Sequence, residues 1–391
     1  MASDGQGQDR VKAPYRWHHS LLVAIVTASL VLTMPGIAVT GARASPPPQP
    51  VEGPGGSAYA FDPVETSRSG NLPTGAWGFA LEGTSDVERG QMPVVLFLHG
   101  FGATDPQTYR GWIAHLVRRG HIVIYPDYQS EGFLVFDQST FVANTLVGLE
   151  QGLDKAGLAP ETIHVVGHSL GAVIGAAYLR AGPLDDLPPG ASLTLIAPGG
   201  CSTCGTMSGF GVPLPDDLAA SEELLVNIVV GSDDTIVGDG DARAIWSRLA
   251  DVPPDRKRLV EVRSDRYGQP GLVADHLFVQ SDGFGSEVDA LDWFGVWRPL
   301  DRLIGCAESG SLCAVALGTD PVALGMGEWS DGTPVAPMVV VDPVAGTRPA
   351  STNVLWTAVW DRGEVMVAGE GQAAVQCQPR PVTKQDARTD D

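Results

Sequence analysis

The stretch Ile163-His-Val-Val-Gly-His-Ser-Leu-Gly-Ala-Val-Ile-Gly-Ala-Ala177 decides how this chain is read. Ile163 to Val166 is a short, continuously apolar run, Gly167-His168-Ser169-Leu170-Gly171 is a turn, and an Ala/Gly-rich helical pattern follows Leu170. Between a strand and a helix, Gly-x-Ser-x-Gly makes a tight elbow that holds its serine strained and exposed above a sheet, while the glycines avoid collision with neighbouring elements. An ordinary N-cap serine is the bland alternative, so the sequence on either side has to discriminate.

Working outward, apolar runs recur at Val94 to Leu98, Ile122 to Tyr125, Leu193 to Ala197, Leu225 to Val230 and Leu259 to Val262. They are continuous rather than alternating, as expected of parallel strands covered on both faces. Helical patterns separate them, ending near Arg119 and Lys155, following Leu170 and starting at Asp241, and a helix over Asp289 to Ile304 closes the series. The succession predicts an α/β fold with a mostly parallel, doubly wound sheet and right-handed crossovers. With 391 residues, 43% of them hydrophobic and 18% charged, the chain is long enough to bury a real core. Its 48 Gly and 30 Pro make up about a fifth of the residues, below the roughly 25–30% of low-complexity chains, so a disordered or fibrous protein is excluded.

A serine hydroxyl is a poor nucleophile at neutral pH and needs a base, which in turn needs an orienting carboxylate. Of eight histidines, His18 and His19 lie in the N-terminal leader, and His99, His115, His121, His164 and His168 all precede Ser169. In the chain order nucleophile, acid, base, His276 is the candidate base, in a loop after the last expected strand. Leu225 to Val230 ends in Gly231-Ser232-Asp233-Asp234-Thr235-Ile236-Val237, which offers two acids. Asp234 is favoured because Asp-x-Ile-Val sets apolar anchors behind it; Asp233 is expected to cap the turn or face solvent. Strand Val94 to Leu98 runs into His99-Gly100-Phe101-Gly102, a glycine-flanked turn, so the N–H groups of Phe101 and Leu170 are the expected oxyanion donors. His99 is expected to hold that loop rather than to react.

His-Gly-Phe-Gly, Gly-His-Ser-Leu-Gly, Asp-Thr-Ile-Val and Asp-His-Leu, in that order along a strand/helix alternation, resemble the α/β-hydrolase superfamily over roughly residues 60–305. The resemblance implies a serine esterase, lipase or related acyl hydrolase with Ser169, Asp234 and His276 as its triad. It looks similar to the secreted dienelactone-hydrolase-like or polyester-hydrolase-like branch. Competing expectations are an amidase, peptidase or lactonase on the same triad, and an exported binding protein that kept the scaffold without its chemistry.

At the N-terminus, Arg10, Lys12 and Arg16 precede the apolar run Leu21 to Leu32, Pro35-Gly36 break it, and Ala42-Arg43-Ala44 supplies small residues. Residues 1–44 therefore read as a secretory signal, with a retained membrane anchor as the alternative. Residues 45–58 read as an exposed Pro/Gly linker, 59–305 as the catalytic domain, and 306–391 as a β-rich C-terminal extension with a hairpin over Val354 to Val367. Acids outnumber bases 46 to 25, a formal charge of −21, which leaves no attraction for nucleic acid or anionic lipid.

Export permits disulfides, and the five cysteines are expected to pair as Cys201 with Cys204 and Cys306 with Cys313, leaving Cys377 free. A redox or zinc role for Cys201 and Cys204 lacks the further ligands it needs. The run Gly238-Asp-Gly-Asp241 faintly resembles a calcium loop but lacks the terminal Glu, and acidic residues at a helix N-terminus explain it. No metal or organic cofactor is called for. The partner expected is a small-molecule or polymer ester. Only Pro198 to Glu223 separates two successive strands where a cap would be inserted, so an open cleft lined by Phe101, Leu170, Ile236 and Phe278 and a preference for short or medium acyl chains are expected.

Overall fold

The structure, a computed structural model, describes residues 43–61, 64–130, 138–205, 211–281, 286–344 and 346. Nine strands form one sheet: β1 (Val64–Ser69), β2 (Ala76–Leu81), β3 (Val94–Leu98), β4 (Ile122–Pro126), β5 (Ile163–His168), β6 (Gly190–Ile196), β7 (Leu225–Gly231), β8 (Lys257–Val262) and β9 (Val339–Val340). Their order across the sheet is β1-β2-β4-β3-β5-β6-β7-β8-β9. β3 to β8 run parallel, while β1, β2 and β9 pair antiparallel at the two edges.

Successive side chains of a strand point to opposite faces, so each central strand feeds two cores. Val94, Leu96 and Leu98 of β3 join one cluster with Leu149, Ala172, Val173 and Ile245. Val95 and Phe97 join the other with Trp112, Leu116, Leu300 and Ile304. The first face is thus covered by α3 (Phe141–Ala156), α4 (Leu170–Leu184) and α5 (Gly240–Arg248). The second is covered by α2 (Arg110–Arg118), a π-helical stretch (Leu291–Trp297) and α6 (Arg298–Ser309), the short α1 (Asp86–Arg89) being a surface turn closed by a capping box at Ser85 and Glu88. Coverage on both faces is the reason the strands read as unbroken apolar runs.

The boundary expected at Gly305 falls inside α6. Of the extension expected to be β-rich, the described residues hold α7 (Cys313–Ala316), α8 (Pro321–Leu324) and β9, and they complete the second core: Met326, Trp329, Val335 and Met338 are all buried in it. The hairpin expected over Val354 to Val367, Cys377 and residues 1–42 of the expected signal lie outside the described residues. The stretch expected to be an exposed linker, 45–58, is exposed over residues 51–53 and 57–58 but is tied down at Ser45 and Gly55, as is Ala44 just before it. Ser45 N–H donates to Ser330 Oγ at 2.9 Å, the Ala44 carbonyl accepts from Gln269 N–H at 2.8 Å, and Gly55 N–H donates to the buried Asp301 carboxylate at 2.7 Å. These partners lie more than two hundred residues away, and a Pro/Gly composition carries no local sign of them.

Candidate active site

Ser169 stands between the end of β5 and the start of α4 with φ 55° and ψ −120°, a left-handed conformation that only a surrounding structure can impose on a non-glycine residue. The flanking glycines are what the turn tolerates. A Cβ on Gly167 would lie 2.4 Å from the Gly171 carbonyl oxygen, and one on Gly171 would lie 2.2 Å from that of Leu98 and 2.3 Å from that of His99. The elbow therefore presses directly on the end of β3. Ser169 N–H donates to the Ile196 carbonyl at 2.9 Å, which fixes the serine to β6 as well.

The loop after β8 brings His276 over this serine, with Nε2 2.9 Å from Ser169 Oγ and Nδ1 2.8 Å from Asp234 Oδ2. The other carboxylate oxygen, Oδ1, accepts the Ile236 and Val237 amides, each at 3.0 Å, so the Asp-x-Ile-Val turn wraps its own acid. All three residues are buried: Ser169 is 5% exposed, His276 3% and Asp234 1%. Burial on its own raises the Asp234 pKa, but the His276 hydrogen bond and charge and the two amides outweigh it and hold the carboxyl below its ordinary range. Asp233, by contrast, is half-exposed and pairs with Arg266 at 2.5 Å, while the histidine's carboxylate partner is Asp234.

The remaining expected site residues fall on the segments around this trio. The loop His99 to Ala103 lies against the elbow, a Cβ on Gly100 being 3.4 Å from that of Ser169. Leu170 is the first residue of α4, where a helix has no carbonyl four residues back for its amide. Phe101 and Ile236 are half-buried. Phe278 is only 6% exposed and packs in the second core, so it braces the histidine loop and offers almost no wall to a cleft. Its apolar character in sequence does not distinguish a wall from a brace.

His99 sits between the carbonyl oxygens of Gly100 and Asp127, at 2.7 and 2.9 Å, and stacks on Tyr128 with ring centroids 4.1 Å apart. Burial pushes its pKa down to about 4, against the opposing pull of the two carbonyls. Tyr128 donates to the His99 carbonyl and Gln129 accepts from Gly102 N–H, closing a cage about the loop. Sequence reasoning did not single out Tyr128 or Gln129, nor Tyr109 and His168, which touch the site from behind. The one available signal was strand alternation, which puts His168 on the same face of β5 as Val166, toward α2.

The disulfides Cys201–Cys204 and Cys306–Cys313 are both formed. The former lies in the loop after β6, where Gly199 N–H donates to the Ser169 carbonyl at 3.3 Å and Cys201 N–H to Asp241 at 2.9 Å. Asp241 opens α5 and serves that loop. Among the described residues, Cys201, Cys204 and Asp241 form the one grouping of metal-type donors, and its two sulfurs are already bonded to each other.

No protein-family model matches this sequence, and no curated protein is recognisably similar to it. Solved structures similar in part include a homologue of hormone-sensitive lipase from a metagenome library, 17% identical with a TM-score of 0.45 over 64% of this chain and 89% of that one. Others are an α/β hydrolase from a Medee basin deep-sea metagenome library (14%, TM-score 0.41, 52% and 84%) and carboxyl esterase 2 from the mycorrhizal fungus Tuber melanosporum (20%, TM-score 0.40, 56% and 81%). These likenesses are too loose to bear on activity, whereas the chain's own strand order and elbow are specific. Eight strands in the order 1-2-4-3-5-6-7-8, the second antiparallel, with a strained serine where the fifth strand meets its helix, make up the mostly parallel α/β-hydrolase-type fold expected from the sequence.

Proposed function

We propose that this protein is a serine ester hydrolase with Ser169 as nucleophile, His276 as general base and acid, and Asp234 as the group that orients the base. The observation that carries this reading is the unbroken path of hydrogen bonds, 2.9 and 2.8 Å long, from a strained serine through one imidazole to a buried carboxylate. Ser169 Oγ attacks the ester carbonyl carbon as its proton passes to His276 Nε2, and the carbonyl electron pair moves onto oxygen. The N–H groups of Phe101 and Leu170 hold that oxyanion, each such donor contributing about 2.7–4 kcal/mol to lowering the barrier. Collapse expels the alcohol with the proton from His276, and water repeats the cycle on the acyl-enzyme to release the acid. Esters ask least of this geometry, because an alcohol leaves more readily than an amine.

The substrates are esters of short or medium acyl chains. Between β6 and β7 the described residues contain no helix to cover a long chain, and the start of that segment is closed by Cys201–Cys204, which supports this reading. The protein works outside the cell, a reading supported by the N-terminal pattern and by the two disulfides. Among the described residues no helix is long and apolar enough to cross a membrane. The test is hydrolysis of p-nitrophenyl butyrate by the purified protein and by Ser169→Ala. The variant is expected to stay folded and fall to the buffer rate; a variant that keeps the activity removes Ser169 from its role.

A further inference from the structure

A second chain of hydrogen bonds runs behind the site, through residues the reaction itself does not use. Gly100 N–H donates to the Tyr109 hydroxyl at 3.0 Å, that hydroxyl lies 2.7 Å from His168 Nδ1, and His168 Nε2 lies 2.9 Å from the His276 carbonyl oxygen. The direction is forced at every link. A carbonyl only accepts, so His168 carries its proton on Nε2; burial, with His276 beside it, pushes the His168 pKa down to about 3, leaving Nδ1 bare. Nδ1 must then accept the Tyr109 O–H, whose oxygen accepts from Gly100. Tyr109 is fully buried and His168 is 1% exposed.

The two ends of the chain are backbone groups of the two loops that serve the chemistry proposed above. Gly100 directly precedes Phe101, the expected oxyanion donor, and the His276 carbonyl belongs to the base itself. We propose that Tyr109 and His168 are positioning residues, a rigid relay that locks the oxyanion loop and the base-bearing loop to one another across the back of the elbow. The inference rests on the reading of Ser169 and His276 as nucleophile and base. It gives the histidine inside the Gly-His-Ser-Leu-Gly turn a task separate from that of its serine neighbour.

Tyr109→Phe tests it by removing one oxygen while keeping the ring packed on Phe97, 5.2 Å away centroid to centroid. Misplacing base and oxyanion donor together is expected to lower both kcat and the rate of fluorophosphonate labelling about 10- to 100-fold. KM should stay within about twofold, since a group acting only on transition-state geometry leaves ground-state binding alone. His168→Gln, whose amide can still reach the His276 carbonyl, should lose less, and the double variant should be no worse than Tyr109→Phe, because one relay can be broken only once. In the unmodified protein, ¹⁵N NMR should show His168 neutral and protonated on Nε2. Labelling of Tyr109→Phe at the wild-type rate, additive losses, or an Nδ1-protonated ring each overturn the relay. Should Tyr109→Phe not fold, the NMR tautomer and the His168→Gln rate decide. An unmodified protein that does not label at Ser169 overturns the hydrolase reading and the relay with it, whereas normal labelling with an unaffected variant overturns the relay alone.

Discussion

Replacing Asp234 by asparagine exchanges one oxygen for nitrogen at the most buried point of the site, and the hydrogen bonds dictate which one. The Ile236 and Val237 amides can only donate, so the asparagine oxygen must stay with them, and its NH₂ must face His276 Nδ1. That NH₂ donates to Nδ1 and obliges the imidazole to carry its proton on Nε2, pointing at Ser169 Oγ, where it is unable to receive the serine proton. Shape and both amide bonds survive, so the protein should stay folded, with some loss of melting temperature at neutral pH because the folded state favours the Asp234 carboxylate. The equivalent exchange in a serine protease lowers kcat by about 10⁴, roughly 5.4 kcal/mol of barrier. Asp233→Asn is the matched control. Its exposed pair with Arg266 is worth about 0–1 kcal/mol, so kcat should stay within about fivefold of wild type. Steady-state hydrolysis of p-nitrophenyl butyrate reads both. An Asp234→Asn enzyme within tenfold of wild type, or an Asp233→Asn enzyme that is the worse of the two, would refute the assignment of the acid.

The remaining predictions concern packing, pH and substrate. Gly171→Ala forces a methyl to within 2.2 Å of the Leu98 carbonyl oxygen; overpacking against backbone costs about 1–3 kcal/mol, at roughly 2–4 °C each, and an unchanged melting temperature would contradict the elbow geometry. Burial holds the Asp292 carboxyl, one oxygen of which has no partner among the described residues, well above the ordinary range, and burial also raises Asp289, three residues earlier, to about 6. The folded state therefore binds these protons more tightly than the unfolded chain does. Their contribution is full below the ordinary carboxylate range and is lost as pH rises toward the folded values. Asp292→Asn, which does not ionise, should gain in melting temperature relative to wild type as pH rises above the ordinary carboxylate range; parallel curves would show that Asp292 does not titrate as described. Across a p-nitrophenyl ester series the optimum should fall at short or medium chains, and a long-chain optimum with a jump above the solubility limit would reveal a covering element.

What the sequence makes legible is whatever one segment decides by itself. Continuous apolar runs identify β3 to β8, and the strand-turn-helix context identifies the elbow. The Asp-x-Ile-Val turn works because Asp234 binds amides two and three residues ahead of it, a purely local act. Elimination by chain order leads to His276. What stays hidden depends on contacts between distant segments. β1 and β2 contain half-exposed residues and join the sheet only by antiparallel pairing with β4. Trp329 reads as part of a Gly/Pro-rich tail, yet it is buried and its indole N–H donates to Asp265 at 3.2 Å. Tyr109 and His168 meet 59 residues apart, and neither position looks unusual where it stands.

The central claim is that the geometry around Ser169 makes its hydroxyl a nucleophile, and a fluorophosphonate tests it directly because it reacts only with an activated serine. Intact mass and peptide mapping after labelling should show one adduct, on the peptide carrying Ser169, absent in Ser169→Ala and strongly slowed in Asp234→Asn. A folded protein that takes up no label, or takes it up on a residue other than Ser169, would contradict the account.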